Sequence, residues 1–210
     1  MEDIERVPEN VIRRLPRYYR YLKDKLKRGE VRVSSSQMSE DMGLNASQIR
    51  RDLNVFGGFG QQGYGYSVER LLGEIETILG LDRQHTVVII GAGHIGTALA
   101  GYKNFEKQGF IVKALFDVNP ERVGEKINNL NVYHMDDLES FTKETPIDIA
   151  MLCIPKEVAQ DAAKAAERAG IHALWNFAPI DIEVADGIAI ENLRLNDSLY
   201  VLSYRMHCGE

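Results

Sequence analysis

Residues 87–96 read Val-Val-Ile-Ile-Gly-Ala-Gly-His-Ile-Gly, and this stretch decides the fold of the longer part of the chain. The β-branched run predicts a buried strand, and Gly-x-Gly-x-x-Gly between a strand and a helix is typical of a dinucleotide-binding turn. Gly91 would permit the tight turn, Gly93 would let a pyrophosphate approach the backbone, and Gly96 would let helix and strand pack closely. The alternative is an ordinary strand–helix turn that binds nothing.

The residues that follow this turn alternate between strand and helix patterns. Further strands are predicted over residues 111–116, 132–134, 147–153, 173–175 and 187–190, with helices over 94–105, 136–143 and 157–169. This alternation predicts an α/β domain of the Rossmann-like, doubly wound kind, with a parallel sheet covered by helices on both faces. We expect this domain to span residues 86–192 and a terminal helix to occupy residues 194–210.

The second predicted strand ends at Asp117, which lies 26 residues after Gly91. A carboxylate about 20 residues after the glycine turn commonly binds the adenosine ribose. The next residues, Val118-Asn119-Pro120, include no Arg or Lys for a 2′-phosphate. The sequence therefore favours NADH and NAD+ over their phosphorylated forms.

The remaining cofactor contacts are expected at the ends of the fourth and fifth strands, where an apolar pocket near Pro155 and Phe177, between two subunits, would take the nicotinamide. The full set of candidates is Gly91, Ala92, Gly93, His94, Ile95, Gly96, Asp117, Val118, Pro155, Asn176 and Phe177. We assign no catalytic residue, because the cofactor fold leaves no room for a substrate domain and no histidine has an assignable carboxylate partner.

The net charge of −6 hides a break between two modules. Residues 6–56 carry 12 Lys/Arg against 6 Asp/Glu, whereas residues 86–210 carry 11 against 18. A basic module followed by an acidic one suggests a nucleic-acid partner for the first. The apolar runs are too short to span a bilayer, and the two cysteines and five histidines show no metal-site spacing. We expect a reduced, cytoplasmic protein without metal.

The basic module, residues 1–80, reads as helical. Apolar residues recur at helical spacing, with a break at Pro16 and an end at Gly29; they are Ile12, Leu15, Tyr19, Leu22 and Leu26. Ser34 and Gln37 have the spacing of a capping box for a short helix that Gly43 ends, and Asn45 would cap a second helix from Ala46 to about Phe56. Two short helices with such a turn predict a helix-turn-helix, and the glycine-rich residues 57–66 predict a hairpin wing.

On the second helix, Ile49 and Leu53 should face the core, which leaves polar residues on the opposite face. Arg can pair with guanine and Asn with adenine in the major groove, and basic residues elsewhere would contact phosphates. The candidate DNA-binding residues are Arg14, Arg17, Ser47, Gln48, Arg50, Arg51, Asn54, Gln62 and Tyr64. The alternative is a solvated basic surface.

Several motifs together carry a family resemblance. They are Pro8-Glu9, Arg14-Leu15-Pro16-Arg17-Tyr18-Tyr19, Gln48-Ile49-Arg50-Arg51-Asp52-Leu53, Gly63-Tyr64-Gly65-Tyr66, Gly91–Gly96, Phe116-Asp117 and Asn176-Phe177-Ala178-Pro179. In this combination the chain resembles the Rex redox-sensing transcriptional repressors of bacteria over nearly its whole length. The resemblance implies a homodimer of winged-helix and Rossmann domains that exchanges its terminal helix, binds palindromic operator DNA and is released by NADH, while NAD+ permits binding.

The resemblance also implies roles for single residues. The glycine turn and Asp117 match the cofactor site, Arg50 and Arg51 match the recognition helix, and Arg20 and Tyr102 match positions in the contact between the two domains. The chain departs from the family at two places. Gln62 stands where the wing usually carries Arg, and Arg194 stands where many relatives carry an acidic residue, for which Asp197 is a candidate replacement.

Two other functions are compatible with these patterns. A small NAD-dependent oxidoreductase would change the absorbance of the cofactor in the presence of a substrate and would show no salt-sensitive DNA binding. A DNA-binding protein that uses its Rossmann domain only as a dimer scaffold would bind operator DNA with no response to NADH.

Overall fold

The structure, a computed structural model, describes residues 7–56, 60–61 and 64–209. The chain divides into two compact units, residues 1–83 and 84–210. Within the described ranges, no helix is long and apolar enough to cross a membrane. The same ranges contain no group of three or more His, Cys, Asp or Glu side chains that could hold a metal ion.

The first unit combines five helices with a small antiparallel sheet of order β1-β3-β2 among its described residues. Its elements are α1 Glu9–Ile12, α2 Leu15–Lys27, β1 Arg32–Val33, α3 Ser35–Met42, α4 Ala46–Asn54, β2 Gly60–Gln61, β3 Gly65–Ser67 and α5 Val68–Ile78. Strand β2 pairs with β3, with Gly60 opposite Tyr66. The predicted hairpin is therefore present, although residues 57–59 and 62–63, including the candidate Gln62, lie outside the described residues.

Local capping explains the helix-turn-helix. The Ser34 hydroxyl accepts a hydrogen bond from the Gln37 backbone N–H at the start of α3. Gly43 ends α3 in the left-handed conformation with φ of +62°, which glycine adopts at little cost. The Asn45 side chain then accepts from the Ser47 N–H and starts α4. The sequence prediction of two short helices joined by a Gly-containing turn is confirmed.

The core of the first unit lies where α2 packs on α5, and Leu15, Tyr18 and Leu22 are fully buried there. The predicted apolar stripe is only partly right, since Ile12 and Leu26 are 41% and 42% exposed. Helix α1 ends at Ile12 and α2 begins at Leu15, with Pro16 in its first turn. This break interrupts the helical phase, and Val11 is buried instead of Ile12.

The second unit has a seven-stranded sheet of order β10-β9-β8-β4-β5-β7-β6. Its elements are β4 His85–Ile90, α6 His94–Ala100, α7 Asn104–Lys107, β5 Phe110–Asp117, β6 Lys126–Ile127, β7 Leu130–His134, a 3₁₀ turn Met135–Asp137, α8 Leu138–Glu144, β8 Ile149–Leu152, α9 Lys156–Arg168, β9 Ala173–Asn176, β10 Ala189–Asn192 and α10 Leu195–Cys208. All neighbouring strands run parallel except β6, which is antiparallel to β7. The chain order reverses around β4, which makes the carboxyl end of β4 the expected ligand crevice of a doubly wound sheet.

Some element boundaries differ from the sequence expectations. The helix predicted over residues 94–105 is divided into two in the structure. Helix α6 ends at Ala100 with Gly101 as its C-cap, and the chain turns before α7 begins at Asn104. The strand predicted over residues 147–153 spans Ile149–Leu152 in the structure. The last strand begins at Ala189 because Gly187 turns the chain with φ of +89°.

Two glycines in the turn after β4 lie where no side chain fits. Gly91 has φ of +101°, and a Cβ there would lie 2.4 Å from the Cys153 carbonyl oxygen. A Cβ at Gly96 would lie 1.9 Å from the Gly91 carbonyl oxygen. A Cβ at Gly93 would meet no heavy atom within 4 Å. Gly91 and Gly96 therefore pack the strand, the turn and α6 together, while Gly93 borders open space.

Helix α10 buries none of its residues. Its predicted apolar stripe, Leu199, Leu202 and Met206, is 60%, 53% and 75% exposed. Tyr200, Val201 and Tyr204 on the other sides of the helix are also more than half exposed. Such a continuous apolar surface is typical of a segment that packs against another chain.

Gly96 and Gly93 have different surroundings, which predicts different effects when a methyl group is added at each position. Gly96→Ala should reduce the free energy of unfolding of the second unit by about 1–3 kcal/mol or more, because the neighbouring atom is backbone and cannot move aside. Gly93→Ala should leave that free energy nearly unchanged. Urea unfolding followed by the fluorescence of the single tryptophan, Trp175, measures both variants. Equal stabilities of the two variants would contradict the packing described here.

Candidate dinucleotide and DNA sites

A cavity of about 570 Å³ opens between the glycine turn and the residues that follow β5. It is lined by Ala92, Gly93, His94, Thr97, Ala98, Asp117, Asn119 and Arg122. Gly93 and His94 are exposed at the start of α6, where backbone N–H groups without helical partners and the helix dipole favour an anion. We refer to this space as the turn cavity.

Two side chains hold the peptide groups of Ala92 inside the turn cavity. The Asp117 carboxylate accepts a hydrogen bond from the Ala92 N–H at 2.6 Å and another from the Asn119 N–H at 2.9 Å. Arg122 donates from Nη2 to the Ala92 carbonyl oxygen, also at 2.6 Å. Asp117 thus lies in the turn cavity with its carboxylate turned toward the glycine turn, and its contact with a ribose stays a prediction.

A second cavity of about 570 Å³, the apolar cavity, shares Gly93 and Asp117 with the first. Its other walls include Val118, Met135, Cys153, Ile154, Pro155 and Val158. A flat heteroaromatic base beside Asp117 would suit these walls. Burial raises the pKa of the Cys153 thiol to about 12, so the thiol stays protonated at neutral pH and is a poor nucleophile or redox group.

Phe177 lies elsewhere, in a third cavity of about 350 Å³ that we call the helix-base cavity. This cavity is lined by Ile95, Phe177 and Pro179 together with residues around the start of α10, among them Arg194, Asp197 and Tyr200. Within one chain the two residues therefore do not share a cavity, and a nicotinamide pocket near both, between subunits, stays a prediction. Pro155 follows β8 and Phe177 follows β9, and the two residues line separate spaces.

Asn176 was expected to contact the cofactor; its side chain is buried and hydrogen-bonded in the structure, and a cofactor contact stays a prediction. Its side chain is fully buried, donates to the Ile180 carbonyl and the Asn192 side chain at 2.8 Å each, and accepts from the Ala178 N–H at 2.9 Å. Asn176 lines none of the three cavities. It shapes the turn after β9, and Arg194 supports the same turn by donating to the Ala178 carbonyl at 2.7 Å and pairing with Asp181.

The outer face of α4 presents the polar residues that the helical pattern predicted. Arg50, Arg51 and Asn54 are exposed, whereas Ile49 and Leu53 are fully buried. Arg51 donates to the Gln48 side chain at 3.0 Å, and Arg50 donates to the Ser35 hydroxyl of α3 at 3.1 Å. Ser47 donates to the capping Asn45 side chain at 2.7 Å. This face carries two guanidinium groups and one amide toward solvent.

Asp52, on the same helix, lies in the core with 1% of its surface exposed. Its carboxylate accepts two hydrogen bonds from Arg14 at 2.6 and 2.8 Å, one from the Tyr18 hydroxyl at 2.7 Å and one from Gln48 at 2.7 Å. Burial by itself would raise the pKa of Asp52, but these hydrogen bonds outweigh it and hold the pKa below its usual value. Burial also raises the pKa of Tyr18, which keeps its hydroxyl a donor.

Three of the candidate DNA-binding residues make contacts within the first unit, and their contacts with DNA stay predictions. Arg14 and Gln48 hold Asp52 with their side chains and so join α2 to α4. Arg17 donates to the carbonyl oxygen of Met42, the last residue of α3. A guanidinium at the end of a helix satisfies a carbonyl that has no helical partner.

Three other candidates lie at the surface. Tyr64 of the wing is 69% exposed, and the Arg32 guanidinium lies 5.8 Å from its ring centre. Arg20 is exposed on α2, and Tyr102 is 53% exposed with an edge-on contact to Phe105. The contact between domains expected of Arg20 and Tyr102 stays a prediction.

Sequence reasoning missed Asp52 and Arg122, although both left a signal. Asp52 falls three residues after Ile49 and beside Leu53, inside the stripe that faces the core, and a buried carboxylate needs a cationic or hydrogen-bonding partner. Arg122 follows Pro120 by two residues, close enough in sequence to Asp117 for both side chains to reach the glycine turn.

Both units of the chain contain a segment that matches a known protein family. Residues 6–54 match the family described as "Putative DNA-binding protein N-terminus", and residues 82–180 match "CoA binding domain". The redox-sensing transcriptional repressor Rex of Clostridioides difficile (strain 630) is 54% identical over 200 residues, which cover 95% of each chain.

Two solved structures of the Rex-family repressor RSP are also similar. The complex of RSP with β-NAD+ and operator DNA is 53% identical with a TM-score of 0.91, covering 95% of this chain and 92% of that one. The complex with β-NADH is 49% identical with a TM-score of 0.87, covering 96% and 94%.

The Asp52 network predicts a pH dependence of stability. Because the folded-state pKa of Asp52 is lowered, its ionised form adds stability above the unfolded value of about 3.9, and this contribution is lost as the pH falls through the folded value. Asp52→Asn should cost about 3 kcal/mol at neutral pH, because it leaves Arg14 without its anionic partner. The deficit should shrink as the pH falls below about 5.

Urea unfolding followed by circular dichroism between neutral and acidic pH measures this deficit. Asp24→Asn is the matched control, since Asp24 is two-thirds exposed and lies 3.9 Å from Lys27. That substitution should change stability little at any pH. A deficit of Asp52→Asn that stays constant with pH would contradict the assigned ionisation.

Proposed function

Because the chain belongs to the Rex family of redox-sensing transcriptional repressors, we propose that it binds operator DNA and leaves the operator when it binds NADH. The observation that carries this proposal is the 53% identity, across 95% of the chain, to a repressor solved with both NAD+ and operator DNA. The chain is a transcriptional repressor and not an enzyme, as its relatives are named. An oxidoreductase function finds no support in these relatives.

In this proposal the first unit reads DNA through the exposed face of α4. Arg50, Arg51 and Asn54 would enter the major groove, where Arg pairs with guanine and Asn with adenine through two hydrogen bonds each. The contacts of Arg50 with Ser35 and of Arg51 with Gln48 hold both guanidinium groups on the helix surface. The buried network around Asp52 fixes the position of α4 behind them.

The second unit fits the dinucleotide that the relatives bind. Open space beyond Gly93 leaves room for a pyrophosphate close to the exposed amides of Gly93 and His94. Asp117 would accept hydrogen bonds from the ribose, and the apolar cavity beside it would take the adenine. The walls of Val118 and Pro155 fit this part of the ligand.

Reduction changes the nicotinamide ring by a hydride and removes its positive charge. The helix-base cavity combines apolar walls from Ile95, Phe177 and Tyr200 with the charged residues Arg194 and Asp197, and its apolar part would favour a neutral ring over a cationic one. A ligand shifts a conformational equilibrium only through different affinities for the two states. Since α10 begins at this cavity, binding of the reduced form would act on the segment that joins the two subunits.

We further propose that the repressor is a homodimer that uses α10 as its exchanged element. The exposed apolar surface of α10 supports this, because a free helix of this kind would favour association. Two recognition helices in a twofold dimer would read the two halves of a palindromic operator about one turn of DNA apart. The site of action would be the cytoplasm, and neither a membrane nor a metal ion is needed.

Replacing Arg51, which is proposed to contact DNA, should weaken DNA binding and leave cofactor binding unchanged. Arg51→Ala should weaken operator binding by about 1–3 kcal/mol and leave the Kd for NADH unchanged. Fluorescence anisotropy of a labelled operator and titration with NADH measure the two affinities. Arg168→Ala, which removes an exposed arginine of α9, is the control for charge loss and should weaken the operator complex much less. An equal loss of operator affinity in the two variants would contradict the assignment of α4 as the DNA-contacting helix.

The dimer can be tested on α10 itself. Leu202→Asp should convert the protein to a monomer, because a carboxylate in an apolar interface would be buried without a partner. Size-exclusion chromatography with light scattering gives the mass directly, and a melting curve shows whether the variant stays folded. A folded Leu202→Asp dimer, or a wild-type monomer, would contradict the role given to α10.

A further inference from the structure

We propose that Gln48 is a positioning residue for Arg51: its side-chain amide holds the Arg51 guanidinium ready for a base and takes its own orientation from the buried carboxylate of Asp52. This inference rests on the proposed function, in which Arg51 enters the major groove. It assigns Gln48 an indirect part in DNA recognition, in place of the direct contact that the sequence predicted.

Gln48 lies between an inward-facing and an outward-facing residue of the same helix. Asp52 follows it by four positions and Arg51 by three, which are the two spacings at which side chains meet on a helix surface. The Gln48 Nε2 atom donates to Asp52 Oδ1 at 2.7 Å, and the Gln48 Oε1 atom accepts from Arg51 Nη2 at 3.0 Å. The amide therefore joins a carboxylate in the core to a guanidinium at the protein surface.

The hydrogen bonds of Asp52 decide which end of the amide points inward. Oδ1 accepts from Arg14 and Gln48, and Oδ2 accepts from Arg14 and Tyr18. The lowered pKa of Asp52 keeps its carboxylate ionised at neutral pH, and an ionised carboxylate only accepts hydrogen bonds. Gln48 must therefore present its NH2 group to Asp52, which leaves its oxygen for Arg51. A reversed amide would place its oxygen against the carboxylate and its NH2 group against a guanidinium that can only donate.

Held in this way, Arg51 keeps most of its donors for DNA. The contact with Gln48 uses one of the five N–H groups of the guanidinium, and two are enough for paired hydrogen bonds to a guanine. A mobile arginine loses rotamer freedom when it binds, and this loss lowers the affinity. Because Gln48 already orders the guanidinium in the unbound protein, part of the loss is avoided. The expected benefit is about three- to tenfold in operator affinity.

A double-mutant cycle on the full-length protein separates positioning from direct contact. The four proteins are the wild type, Gln48→Met, Arg51→Ala and the double variant, and the probes are the operator duplex solved with RSP and a scrambled duplex of the same composition. Fluorescence anisotropy without NADH gives the ratio of the Kd for the scrambled duplex to the Kd for the operator. Gln48→Met should lower this ratio about three- to tenfold in the wild type and leave it unchanged when residue 51 is already alanine.

A further substitution tests the acceptor alone. Gln48→Lys keeps a donor for Asp52 but has no side-chain atom that can accept from Arg51. It should lower the ratio as Gln48→Met does, while its melting temperature stays closer to that of the wild type because Asp52 retains the donor. The added charge strengthens binding to both duplexes, and the ratio cancels this effect. Circular dichroism gives the melting temperatures of all variants.

Three outcomes would overturn the inference alone. The first is a wild-type ratio in Gln48→Met, and the second is a wild-type ratio in Gln48→Lys, since either would show that Arg51 needs no acceptor. The third is an equal fall caused by Gln48→Met with and without Arg51, which would indicate a direct DNA contact of Gln48 or a general displacement of α4. A folded wild type with no preference for the operator would overturn the proposed function and this inference with it.

Discussion

The close approach of Gly96 to the backbone of Gly91 is the constraint on which the dinucleotide site depends. A Cβ at Gly96 would lie 1.9 Å from the Gly91 carbonyl oxygen, so α6 can lie this close to β4 only without a side chain there. This packing brings the first turn of α6 to the carboxyl edge of the sheet, beside the ends of β5 and β8. Asp117 and Arg122 then fix the intervening Ala92 by its N–H and its carbonyl oxygen.

In the first unit, the buried carboxylate of Asp52 is the interaction that fixes the position of the proposed DNA-binding helix. The Asp52 carboxylate is satisfied by Arg14, Tyr18 and Gln48, and its removal from water is compensated by four hydrogen bonds. Asp52 lies one residue after Arg51, so the network holds the helix whose opposite face is proposed to bind DNA. One face of α4 thus carries the supporting residues, and the other carries the residues proposed to contact DNA. The two sequence motifs that contain Arg14 and Asp52 are linked through this contact.

Local patterns predicted most of the fold, and long-range partners account for the errors. The caps at Ser34 and Asn45 and the glycine turn after β4 follow from spacing over a few residues, and the alternation of strands and helices predicts the parallel sheet. The pairing of Arg14 with Asp52 spans 38 positions, and no local pattern separates a guanidinium that binds a buried carboxylate from one that binds phosphate. Asn176 likewise looked like a ligand contact, but its partner Asn192 comes from the neighbouring strand β10.

The two proposed sites explain why the first unit is basic and the second unit is acidic. Polyanionic DNA is met by guanidinium groups on a basic unit, whereas the dinucleotide can be held largely by backbone amides and therefore fits an acidic unit. The central claim is that the redox state of the dinucleotide controls the operator complex. Titrating a preformed complex of the protein and a labelled palindromic operator with NADH, and in parallel with NAD+, tests it most directly by anisotropy. NADH should return the anisotropy to that of free DNA at concentrations where NAD+ leaves the complex intact, and equal effects of the two would contradict the account.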